Sequence, residues 1–256
     1  MEKRGQMSIF VIVAIIIVAV VVAFVAFRNG KIYSIFGQGT SGYTLEQYTE
    51  EINSQFMNCF ENESKNALNF VGQRGGYYKN EGKTIKTTTG FIPYYIFSDE
   101  AYFVNKSLVE QSISYYVNDM AKECVPKDYN RLLEINTGEA ESRVRINNES
   151  VYINLNMPLV IERGNESKKI DKFDLTVSSN LSSMINIANW LSGEYKNDSE
   201  MFCISCLDKI SQKNGVYIVR ITLNSTDSLI SIVSMDNLTY PERFNIAHKY
   251  KIGGIK

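Results

Sequence analysis

Between Arg4 and Arg28 the chain carries no charged side chain, and from Met7 to Phe27 its one hydroxyl is that of Ser8. A helix of about 20 apolar residues spans the ~30 Å hydrocarbon core of a bilayer. In lipid every backbone N–H and C=O must be satisfied within the segment, so a run rich in Val and Ile is still expected to be helical there. A secretory signal peptide has a shorter apolar core, followed by small residues at a cleavage site. Here the core is longer, and Arg28, Asn29, Gly30 and Lys31 follow it. A single-pass anchor fits the length. Lys3 and Arg4 favour a cytoplasmic N-terminus, with the remainder outside the cell, while Arg28 and Lys31 weaken that bias.

Lys3 and Arg4 are followed by Gly5, Gln6 and then the apolar helix. A very short basic leader ending in Gly, then Gln, then a hydrophobic helix resembles the class III signal peptide of archaeal type IV pilins. That resemblance implies cleavage between Gly5 and Gln6, with the helix retained, and a mature chain that opens Gln6, Met7, Ser8, Ile9, Phe10. Filament-forming members often carry Glu at the fifth mature position, where it helps set register between subunits. This chain has Phe10 there. The alternative is a plain, uncleaved signal anchor.

The chain has 256 residues, of which roughly 225 lie beyond the apolar run, enough for one moderate domain or two small ones. Its 27 basic and 28 acidic side chains nearly balance, and no basic stripe is present. Nucleic-acid binding is therefore not expected, since phosphate neutralisation needs clustered Lys and Arg. The only His is His248, which leaves little for His-based metal or triad chemistry. Asn-x-Ser/Thr acceptors occur at Asn62, Asn105, Asn148, Asn165, Asn180, Asn197, Asn224 and Asn237, all on the same side of the apolar run. They make a glycosylated surface protein one reading. A chain rich in Asn and Ser also produces such triplets by composition alone.

The four cysteines are Cys59, Cys124, Cys203 and Cys206. An even number outside a membrane favours disulfides, with three connectivities open. Cys59 and Cys124 each lie on the apolar stripe of an expected helix, so pairing them would staple two helices. A Cys59–Cys203 link would defeat that arrangement. Cys203 and Cys206 form a lone C-x-x-C. Structural zinc needs a second such pair or two His, and a thioredoxin-like site needs a strand leading to a helix that opens at the first Cys. The stretch "SEMFCISCLDKISQ" reads as helical through both. A disulfide is the expected state of these two.

After a Gly-rich connector over 29–43, Thr44 with Gln47 forms a capping box. Leu45, Tyr48, Ile52, Phe56, Cys59, Ala67 and Phe70 follow helical spacing to about Val71 or Gly72, and Gly75–Gly76 end the helix. Tyr77, Tyr78, Phe91, Tyr94, Tyr95, Phe97, Tyr102 and Phe103 concentrate aromatics around Pro93. They read as short extended segments packing over helices, with a glycan platform as the sharper alternative. Ser107 with Glu110 suggests a second cap, and Val109, Ile113, Tyr116, Met120 and Cys124 share a face up to Pro126. The combination of Gly5–Gln6, Cys59, Gly75–Gly76–Tyr77, Pro93–Tyr94–Tyr95 and Cys124 resembles uncharacterised pilin-like membrane proteins of archaea. The resemblance implies a surface location and no known chemistry.

The second half changes period. Val151, Ile153, Leu155 and Met157 alternate with Tyr152, Asn154 and Asn156, as in a half-buried strand. "KKIDKFDLTVS" supplies another strand, and Leu181 to Tyr195 a helix. "GVYIVRITLN" and "SLISIVSM" form a hairpin over "STD", and "ERFNIAHKYKI" a last strand. The expected architecture is an α+β fold: an N-terminal transmembrane helix over 6–28, then an ectodomain of helices packed on an antiparallel sheet. A basic leader covers 1–5, a helical part with the aromatic insert 44–130, and a sheet with two helices 131–256.

Chemistry is thin. Glu162, Glu166, Asp171 and Asp174 are interleaved with Lys168, Lys169 and Lys172, as on a solvated rim. "NSTDS" at 224–228 has Ser, Thr and Asp but no base in reach by sequence. No nucleophile-elbow, zincin, P-loop or dinucleotide fingerprint occurs. No enzyme, metal or cofactor is expected. The sequence reading is a pilin-like cell-surface protein acting in assembly or adhesion. Its partners would be the membrane, like subunits through the N-terminal helix, and a protein or glycan. A permanently anchored, non-filament ectodomain is the alternative, and an exported thiol–disulfide protein the third.

Overall fold

The computed structural model describes residues 43–88, 90–129, 133–197, 204–236 and 241–250. Gly5, Gln6, the apolar run, Cys203 and Asn237 lie outside the described residues, as does the side chain of Asn197. Among the described residues no helix is long and apolar enough to cross a membrane. The chain from Leu45 onward forms one compact unit.

Helix α1 (Leu45–Gln73) runs through that unit. Its buried residues Leu45, Ile52, Phe56, Phe60, Ala67, Leu68 and Val71 recur at helical spacing. Cys59, Tyr48 and Phe70 flank the stripe half-buried, while Phe60 is fully inside. Gly75 and Gly76 stop the helix in left-handed conformation, at φ 57° and 90°. The Gly76 N–H donates back to the Val71 carbonyl at 2.9 Å, which satisfies one of the last-turn acceptors.

The second helix, α2 (Lys106–Ala121), is capped differently from the sequence expectation. Asn105 is the N-cap, its side chain accepting the Ser107 N–H at 3.1 Å. Glu110 is thereby freed from capping and accepts the Ile146 N–H at 2.8 Å, tying α2 to a strand. A 3-10 turn, Lys122–Cys124, follows, so Cys124 sits just past the helix rather than on it.

Two sheets pack with these helices. One is built around the long strand β6 (Ser150–Arg163). Strand β7 (Glu166–Ser178) pairs with β6 along its length. The other edge of β6 is shared by β5 (Glu141–Ile146) and β4 (Glu134–Thr137), all antiparallel. Val151, Ile153, Leu155 and Met157 are all fully buried, as their alternation predicts. Phe173 of β7 meets Phe56 of α1 with ring centroids 4.3 Å apart.

The second sheet runs β1 (Thr84–Thr87), β2 (Gly90–Phe97), β10 (Arg243–Lys249), β9 (Asp227–Ser234), β8 (Val216–Thr222), with β3 (Glu100–Ala101) against β2. Helices α3 (Leu181–Asn197) and α4 (Ile204–Asn214) precede β8. The fold is α+β. It departs from a single antiparallel sheet in two respects: the strands form two sheets, and β2 pairs parallel to β10. Pro93 lies inside β2. The aromatic insert is thus an integral part of the C-terminal sheet and not a cover over helices. Its Tyr95 is buried, with its hydroxyl donating to the Gly75 carbonyl at 3.1 Å.

Candidate interaction surface

The strongest hint of catalysis is the "NSTDS" segment near His248. Asn224 Oδ1 accepts the backbone N–H of Thr226 and Asp227, each at 2.8 Å, which closes the β8–β9 hairpin as an Asx turn. Asp227 is buried and accepts from Tyr94 Oη at 2.8 Å, Asn224 Nδ2 at 2.9 Å and Thr226 Oγ1 at 2.9 Å. Burial alone would raise its pKa. Those three donors, with the charge of Lys249, outweigh burial and hold it below the ordinary carboxylate value. Burial and the Asp227 partner push the Tyr94 phenol up to about 12.

His248 does not join this carboxylate. Asp227 is registered against Lys249, whereas Ser228 is registered against His248. Successive residues point to opposite faces of a sheet. Asp227 is therefore on the wrong face to orient the ring. His248 Nε2 lies 3.4 Å from Ser192 Oγ of α3, and that hydroxyl also donates to the Ala188 carbonyl at 3.0 Å. The imidazole is fully buried, and burial, then the nearby Arg220 charge, lowers its pKa to about 3. It is a neutral core group out of reach of any substrate.

A cleft of about 580 Å³ lies beside the start of α3, lined by Lys65, Asn69, Asn180, Ser234, Asp236 and Glu242 among others. The Glu242 carboxylate accepts Ser179 Oγ at 2.6 Å and the Asn180 N–H at 3.0 Å, so it occupies the helix N-terminus. Burial raises its pKa, with Asp236 adding to the rise and the two hydrogen bonds opposing it. The place where a helix would hold an anion is filled by the chain's own side chain. Among the described residues no three His, Cys, Asp or Glu side chains are grouped to hold a metal ion.

Cys59 and Cys124 are disulfide-bonded, with Cα atoms 5.4 Å apart. Cys206 is also disulfide-bonded. Cys206 lies on α4, and whether the helix runs through both cysteines falls outside the described residues at Cys203. Of the acceptor asparagines, Asn62, Asn105, Asn148 and Asn165 are exposed. Asn180 donates through Nδ2 to Ser234 Oγ and Asp236 Oδ2 at 3.1 and 2.7 Å, and the Nδ2 of Asn224 is held by Asp227. The acidic run is a rim. Lys168 pairs with Glu46 at 2.7 Å, Lys169 with Asp171 at 3.4 Å, and Asp174 bonds Tyr152 and Asn154.

The feature that sequence reasoning missed is on β8. Tyr217, Val219, Ile221 and Leu223 are 50, 45, 48 and 46% exposed. Alternation along the strand puts all four on one face, as a continuous apolar stripe. The signal was present in "GVYIVRITLN", but a strand with apolar residues at nearly every position reads as buried on both faces. Strand β8 is the last strand of its sheet, and among the described residues nothing pairs with its outer edge. Charges protect the other edges: Lys86 on β1, Lys168, Lys169 and Lys172 on β7, Arg143 and Arg145 on β5, Glu134 on β4. The one charge on β8, Arg220, points to the face opposite the stripe, with its guanidinium at 3.2 Å from Ser228 Oγ. An exposed apolar row on an open edge is suited to contact with another chain. Comparison of the chain with protein-family models, curated proteins and solved structures gives no match.

Proposed function

We propose that this chain is a pilin-like, membrane-anchored surface protein whose ectodomain works through protein–protein contacts in assembly or adhesion. The observation that carries this reading is the unguarded β8 edge with its apolar stripe. An edge of that kind is a liability for a solitary molecule and an asset for a contact surface. The Cys59–Cys124 disulfide supports an oxidising location outside the cytosol. The uncharged run before Arg28 supports an anchor, and Gly5–Gln6 a pilin-type cut. The exposed Asn62, Asn105, Asn148 and Asn165 suit glycosylation in the same compartment.

Phe10 favours a second reading, a permanently anchored ectodomain that binds a protein or glycan without forming filaments. An exported thiol–disulfide protein rests only on the C-x-x-C of Cys203 and Cys206. Mass spectrometry of the mature N-terminus from native membranes separates the first two. A chain that starts at Gln6 supports pilin-type processing. A chain that retains Lys3 and Arg4 defeats it and leaves the plain anchor.

A further inference from the structure

We infer that β8 pairs antiparallel with β8 of a second copy of this chain, about a two-fold axis at Val219, joining two sheets into one. The inference rests on the β8 stripe being the contact surface proposed above, and it names the partner. The backbone supplies the first half of the argument. The Leu223 N–H donates to the Asp227 carbonyl, and the Met235 N–H to the Gly215 carbonyl, both at 2.9 Å. Odd-numbered residues of β8 therefore turn their N–H and C=O toward β9. Those of Val216, Ile218, Arg220 and Thr222 point to the open edge, where a further strand would satisfy them.

Side chains supply the register. A two-fold axis at Val219 sets Tyr217 opposite Ile221, twice by symmetry, and Val219 opposite itself. These are aromatic–β-branched and β-branched pairs that favour cross-strand contact. Ile218 then faces Arg220, and Val216 faces Thr222, so all four outward backbone positions find hydrogen-bonding partners. The only charge on the strand meets an apolar neighbour and no like charge. An axis at Arg220 would bring two guanidinium groups directly opposite, which is unfavourable. An axis at Ile218 would leave Ile221 and Leu223 without apolar partners. A C2 contact needs a self-complementary patch, and β8 is self-complementary about Val219.

The test uses the full chain in detergent. Val219 is half-exposed, so Val219→Cys leaves the core intact. In the inferred register the two Val219 residues form a non-hydrogen-bonded pair with Cα atoms about 4.5 Å apart, within disulfide reach. Mild copper-phenanthroline oxidation should give a covalent homodimer with Val219→Cys and none with Thr222→Cys. Val219→Lys should remove the dimer in sedimentation velocity and make the thermal midpoint independent of protein concentration. A monomeric Val219→Cys band, or equal cross-linking at Thr222→Cys, overturns the inference. If Val219→Lys abolishes assembly in cells while Val219→Cys fails to cross-link, the stripe remains a contact surface and self-pairing is wrong. If Val219→Cys cross-links in a chain that retains Lys3 and Arg4, self-pairing stands and the pilin reading falls.

Discussion

Replacing both Cys59 and Cys124 with Ser should destabilise the ectodomain by about 4 kcal/mol. The two cysteines are 65 residues apart in sequence, so the disulfide closes a long loop. Chain-entropy closure of a loop that size removes about 14 cal/mol/K from the unfolded ensemble, or about 4 kcal/mol at 25 °C. The loop contains most of α1 after Cys59, the whole β1–β3 insert and α2. In the folded state Cys124 is buried against the main core, and Cys59 packs half-buried beside it. The measurement is urea denaturation of the oxidised protein and of the double Ser variant, followed by tryptophan fluorescence from Trp190 and by circular dichroism. The slope should rise in the variant, because its unfolded state is less compact, while the midpoint falls. A domain of about 200 residues shifts by roughly 2–4 °C per kcal/mol, so the thermal midpoint should drop by about 8–16 °C. A loss below about 1 kcal/mol would refute the reasoning, since it would place the stabilisation in packing alone.

Three further outcomes follow from particular contacts. His248 has a folded pKa near 3 against an unfolded value near 6.5, so the unfolded chain binds the proton first. Its contribution is intact above pH 6.5 and is lost as pH falls toward 3, at about 1.4 kcal/mol per pH unit; urea midpoints measured across that window should flatten in His248→Gln. At Gly72 an added Cβ would lie 2.2 Å from the Arg243 carbonyl oxygen, so Gly72→Ala should force α1 off β10 and cost about 3 kcal/mol, whereas an unchanged thermal midpoint would mean the helix moves freely there. Tyr94→Phe deletes the 2.8 Å donor to Asp227 and should cost about 1 kcal/mol near neutral pH. The Asp227 pKa lies below its ordinary value, so that stabilisation is present above the unfolded pKa and fades in acid, and the variant and parent should converge on acidification.

Local periodicity made α1, α2, β6, β7, α3 and the β8–β9 hairpin legible, because each buries one face against a neighbour close in sequence or repeats a single period. The Cys59–Cys124 pair was legible for the same reason, as both cysteines belong to the apolar side of adjacent helical segments. The parallel pairing of β2 with β10 was not. It brings Tyr94 beside Ala247, and no local pattern states which distant strand fills that edge. The two strands are buried in doublets and triplets, not in strict alternation, so even their period is ambiguous. Capping was misread at Ser107 because Asn105 and Ser107 are both good N-cap residues. In the fold Asn105 takes the cap and Glu110 accepts the Ile146 N–H.

The polar motifs illustrate the opposite error, in which suggestive residues turn out to serve the fold. "NSTDS" contains the atoms of a nucleophilic site, yet Asn224, Thr226, Asp227 and Ser228 are spent on a turn, on Tyr94 or on Arg220. Glu242 and Asn180 resemble a binding cleft, yet Glu242 accepts the Asn180 N–H at the start of α3 and the Asn180 side chain is held by Ser234 and Asp236. The residues that carry an interaction are those that sequence reading would assign to the core. Val219 and Ile221 differ from Ile230 and Ile232 in nothing the local sequence records. Their difference is the face of the sheet: Val219 and Ile221 are registered against Ser231 and Leu229, whereas Ile230 and Ile232 are registered against Arg220 and Ile218 on the opposite face. If β8 had a strand beyond it, the same four apolar residues would lose much of their exposure. The second copy inferred above supplies that strand and converts an unprotected edge into an inner strand of a larger sheet.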